Sequence, residues 1–433
     1  MYIRSLQMKN FRTFVNSSAE FLYPDIAAST DSDNIAKFKN INLLLGSNGS
    51  GKTTILKAIA LSALSPIIKS SGFVPYCLVS KTEPDESKTT KAQHNIDNGT
   101  AVLTGGFLLD DEDVAPQYIK NKFGSSEHVH TNQVVILRRG DLEEIQSSIP
   151  VDLSLWSNMY ENKSPAFLMV GYGATRRVET RENFDFGSRQ RRSLRYQRVQ
   201  GLFEDSYSLI PLGSWLPELE KANPDQYQEV IHLIDRLLPE PFSFHGHFEN
   251  REYLFIQEKI KIPFDALSDG YRSYIGWITD LLYHISTGCP ENKRLVDCRG
   301  IVMVDEIDLH LHPAWQRDVI PIISGTFPNL QFIFTTHSPI VTGGLQSQNI
   351  IVLEMEGSQS QLLKLSRSVY GLNADQVLLS EYFGLDSTRA PGIRRKMREL
   401  NIKAMEGDKD ASLKLLKYLA EGEDAGLRKD DSL

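Results

Sequence analysis

The sequence predicts an α/β fold built around a mixed sheet, and three observations indicate it. An apolar stretch at residues 40–45 runs into a glycine-rich loop, and an apolar-periodic helix follows at residues 53–64. A second apolar stretch, at residues 301–304, ends at two acidic residues. Strands then alternate with helical segments, which is typical of a sheet with parallel strands at its centre.

Composition and charge set the broad class of protein. The chain has 433 residues, enough for two or three structural units, and its 41% hydrophobic and 24% charged residues are typical of a soluble globular protein. No stretch approaches the roughly 20 apolar residues that cross a bilayer, so we expect a cytoplasmic protein without membrane contact. The net charge of −8 disfavours a protein devoted wholly to nucleic acid. The odd count of three cysteines disfavours a disulfide framework.

Local patterns predict how these elements follow one another. Two strands at residues 2–8 and 18–21, joined by a tight turn, indicate an antiparallel pair at the N-terminus. A helix is predicted at residues 227–238, because two prolines follow it. Residues 253–262 are predicted to form a single strand.

Shifts in composition divide the chain into four predicted segments. A polar stretch at about residues 80–99 is predicted to be an insertion in the first segment, because it is almost free of large apolar side chains. The segments are the N-terminal half of the core (1–174), an inserted, arginine-rich helical lobe (175–241), the C-terminal half of the core (242–373) and a helical tail (374–433).

Residues 46–53 read Gly-Ser-Asn-Gly-Ser-Gly-Lys-Thr, which is the pattern of a phosphate-binding loop. The glycines let successive backbone N–H groups turn toward an anion, and the helix start adds its positive end. Lys52 can reach the β- and γ-phosphates of ATP, and the Thr53 hydroxyl can hold Mg²⁺. We therefore expect an ATP site of the P-loop NTPase type, formed by Gly46, Ser47, Asn48, Gly49, Ser50, Gly51, Lys52, Thr53 and Thr54.

Two acids and a histidine follow apolar strands farther along the chain. Asp305 is placed to ligate Mg²⁺, and Glu306 to position or deprotonate the attacking water. His337 ends the next strand and can contact the γ-phosphate, because ligands of such sheets bind at the carboxyl ends of the strands. Plainer interpretations exist, since an acid pair also suits a helix start and a lone histidine is usually structural. The phosphate loop in the same chain favours Lys52, Glu306 and His337 as the catalytic set.

Together these motifs resemble an ABC-type ATPase of the SMC and RecF-like branch, and they follow the family's order. They are the turn Asn10-Phe11-Arg12, the phosphate loop, the signature Leu267-Ser268-Asp269-Gly270, Asp305-Glu306 and Thr336-His337. Residues 305–313 are similar, more narrowly, to ATPases of bacterial antiphage systems, a group that includes the Septu ATPase and the OLD-family nucleases. The resemblance implies an ABC/SMC-like head with a mixed sheet, antiparallel N-terminal strands and an inserted helical lobe.

The resemblance also implies a site that a second copy completes. Two heads meet head-to-tail, and each ATP lies between one phosphate loop and the signature of the other copy. Ser268 and the Gly270 N–H then bind the opposite γ-phosphate, which suits the free amides of a helix start. Asp308 lies at the dimer seam and Arg12 near the phosphates. Without the resemblance, Ser268 or Asp269 is simply a helix N-cap.

The chain departs from the family's pattern in three respects. In the signature, Asp269 stands where many transporters have glycine, and Tyr271 where a charged or amide residue is common. No glutamine stands where the family has a second metal contact, and Tyr172-Gly173 occupies that place. Residues 175–241 lack the heptads of a long coiled-coil arm, which favours a compact lobe.

A run of eight arginines lies in the predicted lobe and leaves three interpretations open. It could bind nucleic-acid phosphates, contact ATP or a partner, or form a solvated surface paired with nearby acids. Its members are Arg176, Arg177, Arg181, Arg189, Arg191, Arg192, Arg195 and Arg198.

The partners that the sequence and the resemblance suggest are a second copy, a separate effector protein such as a nuclease, and DNA or RNA. Antiphage defence or DNA processing follows from the family likeness alone. One alternative is a RecF-like repair ATPase that clamps DNA directly. A second is a scaffold that senses ATP without hydrolysing it. A transporter ATPase fits less well, because the turn at residues 10–12 and the segment at 310–313 are not typical of one.

Overall fold

The computed structural model describes residues 1–25, 36–80, 99–109, 129–148, 168–179, 192–249, 252–290 and 293–421. The chain divides into two compact units, Met1–Leu372 and Asn373–Leu433. Nearly all of the predicted polar insertion at residues 80–99 lies outside the described residues.

The strands of the described chain share the first unit and are listed in chain order. They are β1 Tyr2–Phe11, β2 Phe14–Glu20, β3 Ile41–Gly46, β4 Thr100–Leu108, β5 Val129–Arg139, β6 Leu142–Ser148, β7 Met169–Tyr172, β8 Arg177–Val178, β9 Ser208–Leu209, β10 Phe242–Glu249, β11 Glu252–Gln257, β12 Ile260–Pro263, β13 Gly300–Val304, β14 Leu330–Thr336, β15 Ile350–Glu356 and β16 Gln359–Leu363.

The α-helices occur in both units. They are α1 Lys52–Ser70, α2 Leu194–Val199, α3 Leu212–Ala222, α4 Pro224–Leu237, α5 Asp269–Gly288, α6 Pro313–Thr326 and α7 Pro339–Gly343 in the first unit, and α8 Ala374–Leu378, α9 Pro391–Met405 and α10 Lys409–Glu421 in the second.

A five-stranded antiparallel sheet holds the N-terminal strands in the order β2-β1-β4-β5-β6. Along β1, Leu6 and Met8 are buried while Gln7 between them is exposed, the alternation expected of a strand with one covered face. The chain turns back at Arg12, whose φ is 52°. The predicted antiparallel strands at the N-terminus are confirmed.

A six-stranded mixed sheet forms the second layer, in the order β16-β15-β3-β14-β13-β7. Five of its strands run parallel, and β16 is antiparallel to β15. Leu45 at the end of β3 is paired with Thr336, and Val304 at the end of β13 is paired with Tyr172. These registers bring the carboxyl ends of β3, β14, β13 and β7 to one edge, which confirms the predicted fold class and positions the site.

The helix α1 contacts strands of both sheets and carries the apolar core between them. It is long and apolar enough to cross a membrane, but 72% of its most apolar window is buried inside the protein. A helix that is apolar on all sides is expected where neighbouring layers cover every face.

One predicted element is wrong in detail. Residues 253–262 form two strands, β11 and β12, because Glu258 and Lys259 turn the chain with φ values of 47° and 80°. A glutamate–lysine pair gives no recognisable turn signal, since such left-handed turns usually carry Asn or Gly.

Three α-helices, α2, α3 and α4, follow β8 in the described chain before β10. The predicted helix at residues 227–238 is α4, which begins at Pro224; the Asn223 side chain caps it by accepting the N–H of Gln226 at 3.1 Å. In the second unit, α9 packs against α10. The four-segment division of the chain stays a prediction.

Candidate nucleotide site

The phosphate loop leaves β3 at Gly46 and enters α1 at Lys52. Gly51 has a φ of 98°, a left-handed conformation that favours glycine. A Cβ on Gly51 would lie 2.7 Å from the Phe14 ring, and a Cβ on Gly46 would lie 2.5 Å from the carbonyl oxygen of Leu353. The loop therefore needs glycine at both positions.

Gly51→Ala is expected to lose ATP binding and several kcal/mol of stability at the loop. The new methyl group meets Phe14, and the left-handed backbone alone costs about 1–2 kcal/mol. Gly72→Ala is a matched control, because Gly72 has a φ of 85° but nothing within 4 Å of an added Cβ. In the control, urea unfolding should show only the loss of stability due to the left-handed backbone, and ATP titration should show normal affinity. Equal losses in both variants would contradict the steric role of Phe14.

Lys52 folds back over the loop that precedes it. Its Nζ donates to the carbonyl oxygens of Gly46 at 2.8 Å and Ser47 at 3.0 Å. Burial lowers the pKa of Lys52, and the nearby carboxylates of Asp305 and Glu306 act in the opposite direction. A phosphate group in the loop would favour the charged ammonium further.

Thr53 and Asp305 meet although they are far apart in the chain. The Thr53 hydroxyl donates to Asp305 Oδ2 at 2.6 Å, and Thr335 Oγ1 donates to Asp305 Oδ1 at 2.5 Å. One hydroxyl and one carboxylate, with phosphate oxygens and water, are the ligands that Mg²⁺ takes in nucleotide sites. The two side chains expected to hold Mg²⁺ therefore fit that ion.

Glu306 directly follows Asp305 in the chain and adopts an unusual backbone conformation. Its φ is 50°, which is unfavourable for a residue with a Cβ. Its N–H donates to Thr335 Oγ1 at 2.7 Å, so one threonine contacts both acids. The side chain of Glu306 lines the same cavity as Lys52.

His337 and Asp308 lie next to each other at the end of β14. Asp308 Oδ1 accepts the hydroxyl of Thr336 at 2.5 Å and the N–H of His337 at 3.4 Å. His337 lines the cavity, whereas Asp308 is not among the described residues that line it. Burial, and then the neighbouring Lys52 cation, lower the pKa of His337, which favours a neutral imidazole at pH 7.

Arg12 reaches the loop from the N-terminal sheet. Its Nη1 donates to Thr54 Oγ1 at 3.4 Å, and its Nε donates to the Cys77 carbonyl at 3.3 Å. The Cys77 contact ties the arginine to the segment after α1, so its guanidinium is held at the rim of the cavity.

These side chains enclose one polar cavity of about 430 Å³, a size suited to a nucleotide. It is lined by Arg12, Thr13, Asn48, Gly49, Gly51, Lys52, Thr53, Thr54, Asp305, Glu306 and His337.

The signature lies apart from this cavity. Ser268 is exposed at the start of α5, and its side chain makes no capping hydrogen bond. A Cβ on Gly270 would lie 2.5 Å from the carbonyl oxygen of His310, so glycine allows a close approach there. Neither Ser268 nor Gly270 is among the described residues that line the cavity.

The arginine run is not one exposed stripe, because three of its members are buried and so fit neither the nucleic-acid interpretation nor the solvated-surface interpretation. Arg176, Arg195 and Arg198 are 8%, 1% and 2% exposed. Arg192 pairs with Glu204 at 2.6 Å. Arg177 is exposed beside Glu179, and Arg181, Arg189 and Arg191 lie outside the described residues.

Tyr172, where the resemblance leads one to expect a glutamine, is a buried residue. Tyr172 donates its hydroxyl to Asp280 at 2.8 Å, and its side chain is 1% exposed. It is not among the described residues that line the cavity.

Sequence reasoning missed two features of the site. The role of Thr335 had no signal of its own, since a threonine in a strand is usually read as a β-former. Thr13 lines the cavity because the β1–β2 turn bends over the loop, a tertiary arrangement that no local pattern encodes.

The fold and this site define a P-loop ATPase domain. The chain belongs to the family described as "AAA domain, putative AbiEii toxin, Type IV TA system", whose model matches residues 41–342.

Two similar proteins extend this result. The chain is 26% identical over 398 residues to the Septu protein PtuA of Bacillus mycoides (strain KBAB4), covering 89% of this chain and 45% of that protein. It is 26% identical over 401 residues to "Retron Vc95 probable ATPase" of Vibrio cholerae serotype O1 biovar El Tor, covering 78% and 74%. The chain thus spans about half the length of the Septu protein. The likeness to the Septu ATPase is confirmed.

Among solved structures, the chain is similar to an Smc head bound to the C-winged helix domain of ScpA. The TM-score is 0.49 at 16% identity, covering 84% of this chain and 98% of that one.

Proposed function

We propose that this chain hydrolyses ATP and acts as a nucleotide-gated switch in a bacterial antiphage system. The observation that carries the proposal is the 2.6 Å hydrogen bond from Thr53 to Asp305, which joins positions 252 residues apart. Lys52, Glu306 and His337 line the same cavity. A phosphate-binding loop, a pair of metal-ligand side chains and a candidate base thus surround one space.

The proposed reaction uses each side chain for one task. Thr53 and Asp305 would hold Mg²⁺, which supplies positive charge against the phosphate oxygens when bound. Lys52 exchanges its two carbonyl partners for the β- and γ-phosphates. Glu306 orients and deprotonates the attacking water, and neutral His337 donates a hydrogen bond to the γ-phosphate.

Thr53→Val is expected to raise the Mg²⁺ concentration needed for half-maximal activity by about tenfold or more. The valine has a similar shape but no hydroxyl, so the Mg²⁺ loses one of its oxygen ligands, and a loss of about 1.4 kcal/mol is a tenfold change in affinity. Thr53→Ser keeps the hydroxyl and should retain nearly normal Mg²⁺ dependence. Titrating Mg²⁺ at saturating ATP measures both, and identical curves for the two variants would argue against a metal role.

We further propose that two copies sandwich ATP head-to-tail. The support is that Ser268 is exposed and outside the cavity of its own chain, so a second copy can reach it. A serine hydroxyl and free amides at the start of α5 would then bind the γ-phosphate held by the other copy.

Light scattering tests this dimer. Glu306→Gln with saturating ATP is expected to accumulate at twice the monomer mass of 48.9 kDa or above, because hydrolysis no longer resets it. Lys52→Ala under the same conditions should stay at its nucleotide-free mass. An unchanged mass for Glu306→Gln would contradict the sandwich.

The setting is proposed from the relatives. Two of them are named components of Septu and retron systems, and we propose that this chain likewise works in the cytoplasm with a separate effector protein such as a nuclease. Co-purification with the product of a neighbouring gene tests this directly. A fully active defence system that lacks any second protein would contradict it.

A further inference from the structure

Arg176 lies between β7 and β8, and its side chain contacts the backbone that carries the two acids. Its Nη1 donates to the carbonyl oxygen of Asp305 at 2.6 Å, and its Nη2 donates to the carbonyl oxygen of Glu306 at 3.0 Å. The guanidinium therefore holds two successive peptide groups with the two arms of one planar fork.

The backbone that leads to Arg176 is fixed by contacts around the end of β7. The N–H of Asp305 donates to the carbonyl oxygen of Tyr172 at 2.9 Å, which continues the β7–β13 pairing. The Tyr172 hydroxyl is anchored on fully buried Asp280. A Cβ on Gly173 would lie 2.3 Å from the carbonyl oxygen of Gly201, so only glycine fits this turn.

Glu306 needs such a restraint, because its left-handed backbone is unfavourable. A φ of 50° in a residue with a Cβ persists only where the surrounding structure holds it. Its N–H is held by Thr335, and its carbonyl oxygen accepts from Arg176 and from the N–H of Leu309 at 3.0 Å. With both neighbouring peptide groups fixed, the direction in which the Glu306 side chain leaves the backbone is fixed as well.

Arg176 also brings a buried positive charge close to the acids. Burial lowers its pKa to about 10, and the carboxylates of Asp305, Glu306 and Asp308 act in the opposite direction. The group is therefore charged at neutral pH. Because it is only 8% exposed, it is not available to a nucleic-acid backbone.

We infer that Arg176 is a positioning residue for ATP hydrolysis, holding the Asp305–Glu306 backbone so that the Glu306 carboxylate faces the attacking water. This inference rests on the proposed function. Arg176 is not among the described residues that line the cavity, so it acts through Glu306 and not on the nucleotide.

Arg176→Ala is expected to lower kcat about 10- to 100-fold, since a misplacement of about 1 Å can cost 10²-fold. The dissociation constant for ATP should change less than threefold, because the phosphate loop is untouched. Arg177→Ala is the matched control, as Arg177 is exposed and pairs with Glu179; it should keep the wild-type kcat. An unchanged kcat in Arg176→Ala, or an equal loss in ATP affinity, would overturn the inference.

A double-mutant cycle separates positioning from general structural damage. In a Glu306→Gln background, Arg176→Ala should cause little further loss in the single-turnover rate, because its target carboxylate is gone. The same fold-loss in both backgrounds would overturn the inference. Arg176→Lys retains the charge but cannot donate to both carbonyl oxygens at once, so its kcat should lie between those of wild type and Arg176→Ala. If Arg176→Ala melts far below wild type, Arg176→Lys replaces it in the cycle.

The outcomes distinguish this inference from the proposed function. A wild-type protein that releases no phosphate in any assembly state would remove the function itself. Hydrolysis that depends on Glu306 but not on Arg176 would remove only the positioning role.

Discussion

Lys52→Ala is expected to abolish ATP hydrolysis and to weaken ATP binding roughly 100-fold or more. The ammonium is the cation held at the phosphate loop, and losing hydrogen bonds to charged phosphate groups costs about 3 kcal/mol. Its present bonds are to the carbonyl oxygens of Gly46 and Ser47, so alanine should leave the fold of the loop largely intact. Titration with a fluorescent ATP analogue and steady-state phosphate release measure the two effects.

A lysine on the same helix provides the control for this variant. Lys69 lies in the last turn of α1, far from the phosphate loop, and is half exposed. It pairs with Glu144 of β6. Lys69→Ala should bind and hydrolyse ATP normally, since exposed ion pairs contribute little to stability. Normal ATP affinity in Lys52→Ala would show that residues 46–53 are not the phosphate site.

Glu306→Gln is expected to lower kcat by about 10²- to 10⁴-fold, the usual contribution of a general base. Glutamine keeps the size and can still line the cavity, so ATP affinity should stay within a few-fold of wild type. Single-turnover hydrolysis with prebound ATP isolates the chemical step from release of products.

Glu356→Gln is the matched control for this charge removal, because Glu356 is exposed at the end of β15. It should retain full activity. If Glu306→Gln hydrolyses ATP at the wild-type rate, another group activates the water and the assignment of Glu306 is wrong.

Much of the site was predictable because its chemistry depends on local patterns. The phosphate loop combines glycine spacing with a strand before it and a helix after it, and the structure has both in β3 and α1. Asp305 and Glu306 follow the buried strand β13, so the sheet carries them to the same edge. The parallel strands, the phosphate loop and the start of α1 together bring Thr53 within 2.6 Å of Asp305.

The remaining features depend on tertiary contacts that no short pattern encodes. Arg176 looked like one member of a charged surface run, yet it is buried against the backbone of the acids. Thr335 looked like an ordinary strand residue, yet it bonds to both acidic positions. The β11–β12 turn uses Glu258 and Lys259, whose side chains give no turn signal.

If ATP is hydrolysed in a site shared by two copies, mixing two inactive variants should restore activity. Lys52→Ala lacks a working phosphate loop, and Ser268→Arg lacks a working signature. A mixed dimer regains one intact site, so an equimolar mixture should recover about a quarter of wild-type activity if subunits exchange freely and sites act independently. A mixture no more active than the two separate variants, under conditions where subunit exchange is demonstrated, would contradict the shared site.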